Sequence, residues 1–141
     1  MDHVVYLDAA GHEYEKMLAE TKTMIIRGAA GRKMPYGRVS DGDMLYFMNN
    51  DGEGLVKLKA RVKTVFNSGK MSFEESAGLV GDNQNLLQLE EKQIKRWAGK
   101  RYLVLITVED VREIDPFPID KSSFGNMDDW LPVGDINRVK L

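Results

Sequence analysis

Leu55-Val56-Lys57-Leu58-Lys59-Ala60-Arg61-Val62-Lys63-Thr64-Val65-Phe66 alternates apolar and cationic residues through Lys63. Side chains on a strand point to opposite faces in turn. Val56, Leu58, Ala60, Val62 and Thr64 therefore share one face, and Lys57, Lys59, Arg61 and Lys63 share the other. A helix would scatter both sets around its axis, so the stretch reads as a half-buried strand with its cations in water. Upstream, Asp43 to Met48 reads as a second strand, and Asn49-Asn50-Asp51-Gly52-Glu53-Gly54 between the two has the turn chemistry of an antiparallel hairpin. The apolar face of the longer strand is expected to meet Leu45, Phe47, Leu103 and Leu105 in a barrel-like core.

The pattern extends outward in both directions. His3 to Leu7 is strand-like, Asp8 is a candidate cap for a helix with Tyr14, Met17 and Leu18 on one side, and Lys22 to Arg27 is a further strand bounded by Gly28. Residues 28 to 42 form a long loop with Gly28, Gly31, Gly37, Gly42 and Pro35, a length that more often serves binding than mere connection. Ser72 and Glu75 make a capping-box signature for a helix through Val80, and a further helix spans about Leu89 to Ala98. Arg101 to Val108 is an apolar strand extended by Val111 to Ile114, and Asp115-Pro116-Phe117-Pro118 should stop it. A last strand is expected at Asn137 to Leu141. The 141 residues show no repeat or linker, and one domain over 1–141 accounts for them.

Composition narrows the function classes. With 43% apolar and 30% charged residues the chain is of globular type, and no apolar run approaches the roughly 18 residues of a membrane span. Met1-Asp2-His3 has an acid where a secretory leader has cations, so a cytoplasmic location without membrane attachment is expected. The absence of cysteine removes disulfides, thiolate nucleophiles and thiolate metal sites. His3 and His12 match no zinc spacing, so neither a metal nor a cofactor is expected. No serine has a credible histidine partner for nucleophilic catalysis.

The net charge of −2 hides an asymmetry. From Lys22 to Lys70 ten cations face four acids, a net of +6, whereas the rest of the chain carries a net of −8. No acid occurs from Leu55 to Met71, where a merely solvated face usually mixes signs. Lys57, Lys59, Arg61 and Lys63, with Lys22, Arg27 and the loop cations Arg32, Lys33 and Arg38, are therefore candidate anion contacts. A polar sheet face explains the strand cations equally well, and a flexible connection explains the loop. Gly28-Ala29-Ala30-Gly31-Arg32-Lys33 lacks the spacing of a nucleotide-phosphate loop. Tyr36 and Tyr46 beside the basic segment are the stacking candidates, while Trp97 and Tyr102 read as core.

Leu18-Ala19-Glu20-Thr21-Lys22-Thr23-Met24-Ile25-Ile26-Arg27 resembles the signature of the ASCH superfamily, in which a helix end is followed by Gly-x-Lys-x-x-Glu-x-Arg entering a strand. Gly42-Asp43-Met44-Leu45-Tyr46-Phe47 is similar to the family's Gly-Asp turn into a barrel strand, and the later elements follow in the family's order over roughly residues 14 to 114. The resemblance implies an α+β fold: a small PUA-like β-barrel of about five to seven mostly antiparallel strands with two to three peripheral helices. It also implies a ligand cleft beside Lys22 and Arg27 that takes RNA or a nucleotide-like molecule. Some members hydrolyse acetylated cytidine with a motif lysine, a threonine three residues on and a glutamate from the helical insertion. Lys22 matches the lysine and Glu74 or Glu75 is the candidate carboxylate, but Ile25 stands at the threonine position and has no proton to relay. The leading expectation is thus a binding module for RNA or a nucleotide-like ligand. An amidohydrolase of acylated nucleosides and a protein-interaction module are the alternatives.

Overall fold

The computed structural model describes residues 1–125 and 127–141. Among them six strands make one mixed sheet, β1 (Asp2–Leu7), β2 (Met24–Ala29), β3 (Met44–Asn49), β4 (Leu55–Asn67), β5 (Tyr102–Pro118) and β6 (Trp130–Gly134). The spatial order is β2-β5-β4-β3-β1-β6, curled into a half-barrel. Every neighbouring pair is antiparallel except β1 and β3, which run parallel. Four helices complete the α+β fold: α1 (Glu13–Leu18) between β1 and β2, then α2 (Phe73–Asp82), α3 (Gln84–Leu87) and α4 (Glu91–Trp97) between β4 and β5.

The curl comes from the two longest strands. β4 and β5 pair along their whole length, but the register shifts between Val56 and Leu58, Lys59 and Arg61, and Val62 and Thr64. Each such irregularity bends a ribbon and increases its twist. Asp110, opposite this stretch, adopts a left-handed backbone with φ 53°. The hairpin between β3 and β4 forms where Asn49 to Gly54 predicts it, and Leu58, Ala60 and Val62 face the barrel interior with Leu45 and Phe47.

Three expectations about this face change. Thr64 is exposed rather than inward, because the irregularity after Val62 reverses the alternation and turns Val65 toward the core. Leu103 and Leu105 are buried on the outer face of β5, under α2 to α4, while Val104, Ile106 and Val108 fill the barrel. Val56 belongs to a third cluster with Phe117, Ile119, Leu131 and Val133, formed where β4 leaves the barrel.

The C-terminal third also departs from expectation. β5 continues through Pro116 to Pro118, since β2 covers only residues 102 to 107 of its other edge and proline is tolerated where no partner needs an N–H. The last strand lies at Trp130–Gly134 instead of residues 137 to 141, which form a 3-10 turn at Ile136–Arg138 and a single bridge between Ile119 and Lys140. The helical insertion yields three helices because Asn83 interrupts the α2 path and Gln88 turns left-handed with φ 53°. The predicted capping box at α2 is present, with Ser72 and Glu75 bonded reciprocally.

A buried polar relay fastens β1 to both neighbours. Trp130 Nε1 donates to His3 Nδ1 at 3.0 Å, so the ring proton sits on Nε2 and points to Asp43 Oδ2 at 2.8 Å.

Candidate functional site

α1 and the entry to β2 set the first pair of groups. After α1 the chain reverses through Glu20, whose φ is 61°, and the amides of Thr21 and Lys22 both bond to Lys16 O. This brings Lys22 inward just before β2. Its side chain is fully buried, with Nζ 2.6 Å from Leu87 O and 3.2 Å from Glu13 Oε2. Burial lowers the Lys22 pKa, and Glu13 only partly opposes that. For Glu13 burial acts upward, yet Lys22, Arg27 and the amide of Asp8 together hold its carboxyl below its ordinary value. Both shifts are downward but favour opposite charge states: the two cations near Glu13 keep it ionised, whereas burial and the nearby Arg27 disfavour the charged form of Lys22.

Arg27 lies in β2 with 7% of its surface exposed. Its Nη1 donates to Ile26 O at 2.8 Å and its Nη2 to Tyr6 O at 2.6 Å, linking β2 to β1 across the open side of the half-barrel. The guanidinium carbon is 5.9 Å from the Trp97 ring centre and 5.7 Å from that of Trp130. Nε is 3.3 Å from Asp129 Oδ2, an ion pair without the angle of a hydrogen bond.

Above these groups opens a cleft of about 450 Å³. Tyr6 and Trp97 give it aromatic surface, and Asn49, Asn50 and Gln93 give it amides. Its acids, Asp8, Glu13, Asp128 and Asp129, outnumber its cations, Arg27, Arg96 and Lys121. Gln93 is held by the N-terminus of α4, where its Oε1 accepts from the Glu90 amide at 2.8 Å. Gly11 lies so close beneath it that a Cβ would meet the Gln93 amide at 2.6 Å. The Gly52 and Gly54 turn of the hairpin forms part of the rim.

The cations singled out from the sequence divide between this cleft and other surfaces. Arg27 lines it, and Lys22 lies behind Glu13, which also lines it. Arg32, Lys33 and Arg38 are exposed on the loop after β2 and are not among the lining residues. Arg32 rests over the rings of Tyr36 and Tyr102, at 5.7 and 5.6 Å from their centres, and the Tyr36 hydroxyl donates to Ser68 O. Lys57 pairs with Glu53 at 3.2 Å and sits over Tyr14, while Arg61 pairs with Glu109 at 3.3 Å and Asp110 at 2.5 Å. Lys59 is half-buried and Lys63 exposed.

Neither insertion carboxylate lines the cleft. Glu74 and Glu75 are exposed in the first turn of α2, and Glu75 is occupied in its capping box. Ile25 is fully buried in the barrel. The carboxylate that does meet Lys22 is Glu13 of α1, which sequence reasoning missed together with Asn49, Gln93, Asp129 and the cleft-facing side of Trp97. For Glu13 a signal was present, an acid on the helix leading into the Lys22 motif.

No protein-family model and no curated protein matches the sequence. Solved structures are similar in shape. The crystal structure of ASCH from Zymomonas mobilis is 16% identical, with 91% of this chain and 82% of that chain covered and a TM-score of 0.63. A tyrosine-to-phenylalanine mutant of the same protein is 13% identical over 92% of this chain and 87% of that chain, with a TM-score of 0.67. At this level of identity the likeness concerns architecture, and the chain has the fold of the ASCH structures.

Proposed function

We propose that the cleft binds a nucleoside-like group, either free or carried on RNA. The observation that carries this reading is the lining itself. Aromatic surface from Tyr6 and Trp97 stands beside the amides of Asn49, Asn50 and Gln93, in a volume of about 450 Å³. Sites for small molecules commonly fall at roughly 300–1,000 Å³, and stacking of a base on an aromatic ring contributes about 1–3 kcal/mol. The excess of acids over cations in the lining disfavours a triphosphate or a polyphosphate tail inside the cleft. Phosphates of an RNA strand would instead lie outside it, on the loop cations Arg32, Lys33 and Arg38, with Lys59 and Lys63 enriching the surrounding field.

Binding is favoured over hydrolysis of an acylated nucleoside by two placements. Ile25 faces the barrel core, and Lys22 is fully buried with its ammonium already engaged by Leu87 O and Glu13. A nucleophile needs an accessible lone pair, and Lys22 offers none on the cleft side.

Titration of the chain with uridine, inosine, cytidine and adenosine, followed by tryptophan fluorescence, tests the cleft. Filter binding of mixed RNA at low and moderate salt tests the strand. Saturable nucleoside binding with little salt dependence supports the free ligand. Retention of RNA alone, falling steeply with salt, supports the strand, and absence of both defeats the reading.

A further inference from the structure

Almost every buried polar side-chain group in the cleft wall already has a partner. Glu13 is held by Lys22 and the Asp8 amide, and Gln93 Oε1 by the Glu90 amide. The two terminal nitrogens of Arg27 are taken by carbonyls. Two buried side-chain atoms remain without a hydrogen bond among the described residues, Arg27 Nε and Asn49 Oδ1. Both residues line the cleft. They are also close neighbours in the fold, because Arg27 Nη2 reaches Tyr6 O and the next residue of β1, Leu7, is the ladder partner of Asn49.

A buried donor and a buried acceptor that both lack a hydrogen bond are costly unless a bound molecule completes them, and native interiors hold few such groups; the Asp129 carboxylate 3.3 Å from Nε supplies charge but no hydrogen bond. We infer that Arg27 Nε and Asn49 Oδ1 form a donor–acceptor pair that reads the lactam edge of a nucleobase, a ring carbonyl directly beside a ring N–H. The cationic Nε–H favours a carbonyl oxygen, where the hydrogen bond is charge-assisted, over a neutral ring nitrogen. Asn49 Oδ1 accepts only, so its neighbour on the ligand must carry a proton. Uracil, hypoxanthine and guanine present this combination. Cytosine has an unprotonated nitrogen beside its carbonyl, and adenine has no carbonyl. Asp129, with 44% of its side chain exposed, has room to swing toward water as the ligand carbonyl accepts the Nε–H hydrogen bond, so the ion pair is no barrier.

The inference rests on the reading of the cleft as a nucleoside site, and the test separates the two. Calorimetric titration compares uridine with 3-methyluridine, and inosine with 1-methylinosine, on the intact chain. Each methyl group removes the ring N–H and leaves the carbonyl and the stacking face. The expected result is that at least one parent nucleoside binds roughly tenfold or more tightly than its methylated partner, and more tightly than cytidine or adenosine. Asn49→Leu should erase that preference. Equal affinity for parent and methylated nucleosides overturns the lactam assignment while leaving the cleft a nucleoside site. Binding of no free nucleoside overturns the lactam assignment, and the reading of the cleft falls with it if RNA is not retained either. The comparison of ligands needs no variant, so misfolding of Asn49→Leu leaves the inference open to defeat.

Discussion

Lys22 and Arg27 under the cleft and Lys57, Lys59, Arg61 and Lys63 on β4 contribute the same sign of charge to the same basic segment, but their surroundings differ in almost every respect. The first two are buried, held by backbone carbonyls, and matched to Glu13 and Asp129. On β4, Lys57 and Arg61 lean on acids that lie close in space, Glu53, Glu109 and Asp110, while Lys63 stands in water. Cations counted along a chain therefore overstate the field. What a charge does depends on whether water or a fixed partner surrounds it.

The largest expected contrast is in stability. Lys22→Met leaves Glu13 charged and buried without its ammonium, which should cost about 3–5 kcal/mol, whereas Lys63→Ala should stay within about 0.5 kcal/mol of the parent. Urea unfolding measures both. Replacing Glu13 by Leu in the Lys22→Met background should restore much of the loss, since a buried pair exchanged whole for apolar groups is often nearly neutral. Equal small effects of Lys22→Met and Lys63→Ala would erase the distinction between the two regions.

Next in size is the effect on binding. Arg27→Lys keeps the charge but removes Nε and the planar fork, so affinity for the parent nucleoside should fall about tenfold. Lys57→Ala should change it less than about twofold, because a screened charge on the outer strand adds only to the general field. Titrations at matched salt decide between them. If the two variants lose affinity equally, a diffuse surface replaces the cleft.

Acid sharpens the same comparison. Glu13 has a folded pKa below its ordinary 4.5, so the stability it contributes is present above that pH and is lost as pH falls through the lower folded value. Lys22 works in the opposite sense, because its lowered pKa means that burial penalises the charged form until pH rises past the folded value. Glu13→Gln should therefore flatten the decline in melting temperature below pH about 4.5, and an unchanged acid limb would remove Glu13 from the account. The smallest effect belongs to Tyr14 beneath Lys57. Burial and the Glu113 hydrogen bond push its phenol up to about 12, and Glu113→Gln should lower that value in an ultraviolet titration with no change in nucleoside affinity.

Local chemistry made much of the fold legible. The alternation of Val56 to Val62, the Asn49 to Gly54 turn and the Ser72–Glu75 box each specify their structure within a few residues. The outward turn of Thr64 is not legible in the sequence, because a register shift is a property of two paired strands and one strand's sequence does not carry it. The passage of β5 through Pro116 depends likewise on that edge being left without a strand partner beyond residue 107 among the described residues. The cleft was legible only at the Lys22 and Arg27 motif. Glu13, Asn49, Gln93 and Asp129 come from four separate elements, and nothing in their spacing announces that α1, β3, α4 and the segment before β6 converge.

β1 has a consequence for how the chain reaches this state. It lies between β3 and β6, and its ladder partners include Met44 on one side and Leu131 on the other. β1 thus waits for residues 130 to 134 before both its edges are paired. Contacts that span such long stretches of sequence slow folding, since the entropy of closing the loop is lost before any pairing compensates for it. The β3–β4 hairpin and the β4–β5 ribbon are free to assemble earlier. Tyr6, Arg27 and Asp129 meet only when the segment entering β6 is in place, so the β3–β4–β5 ribbon alone forms a barrel wall without the Asp129 side of the cleft.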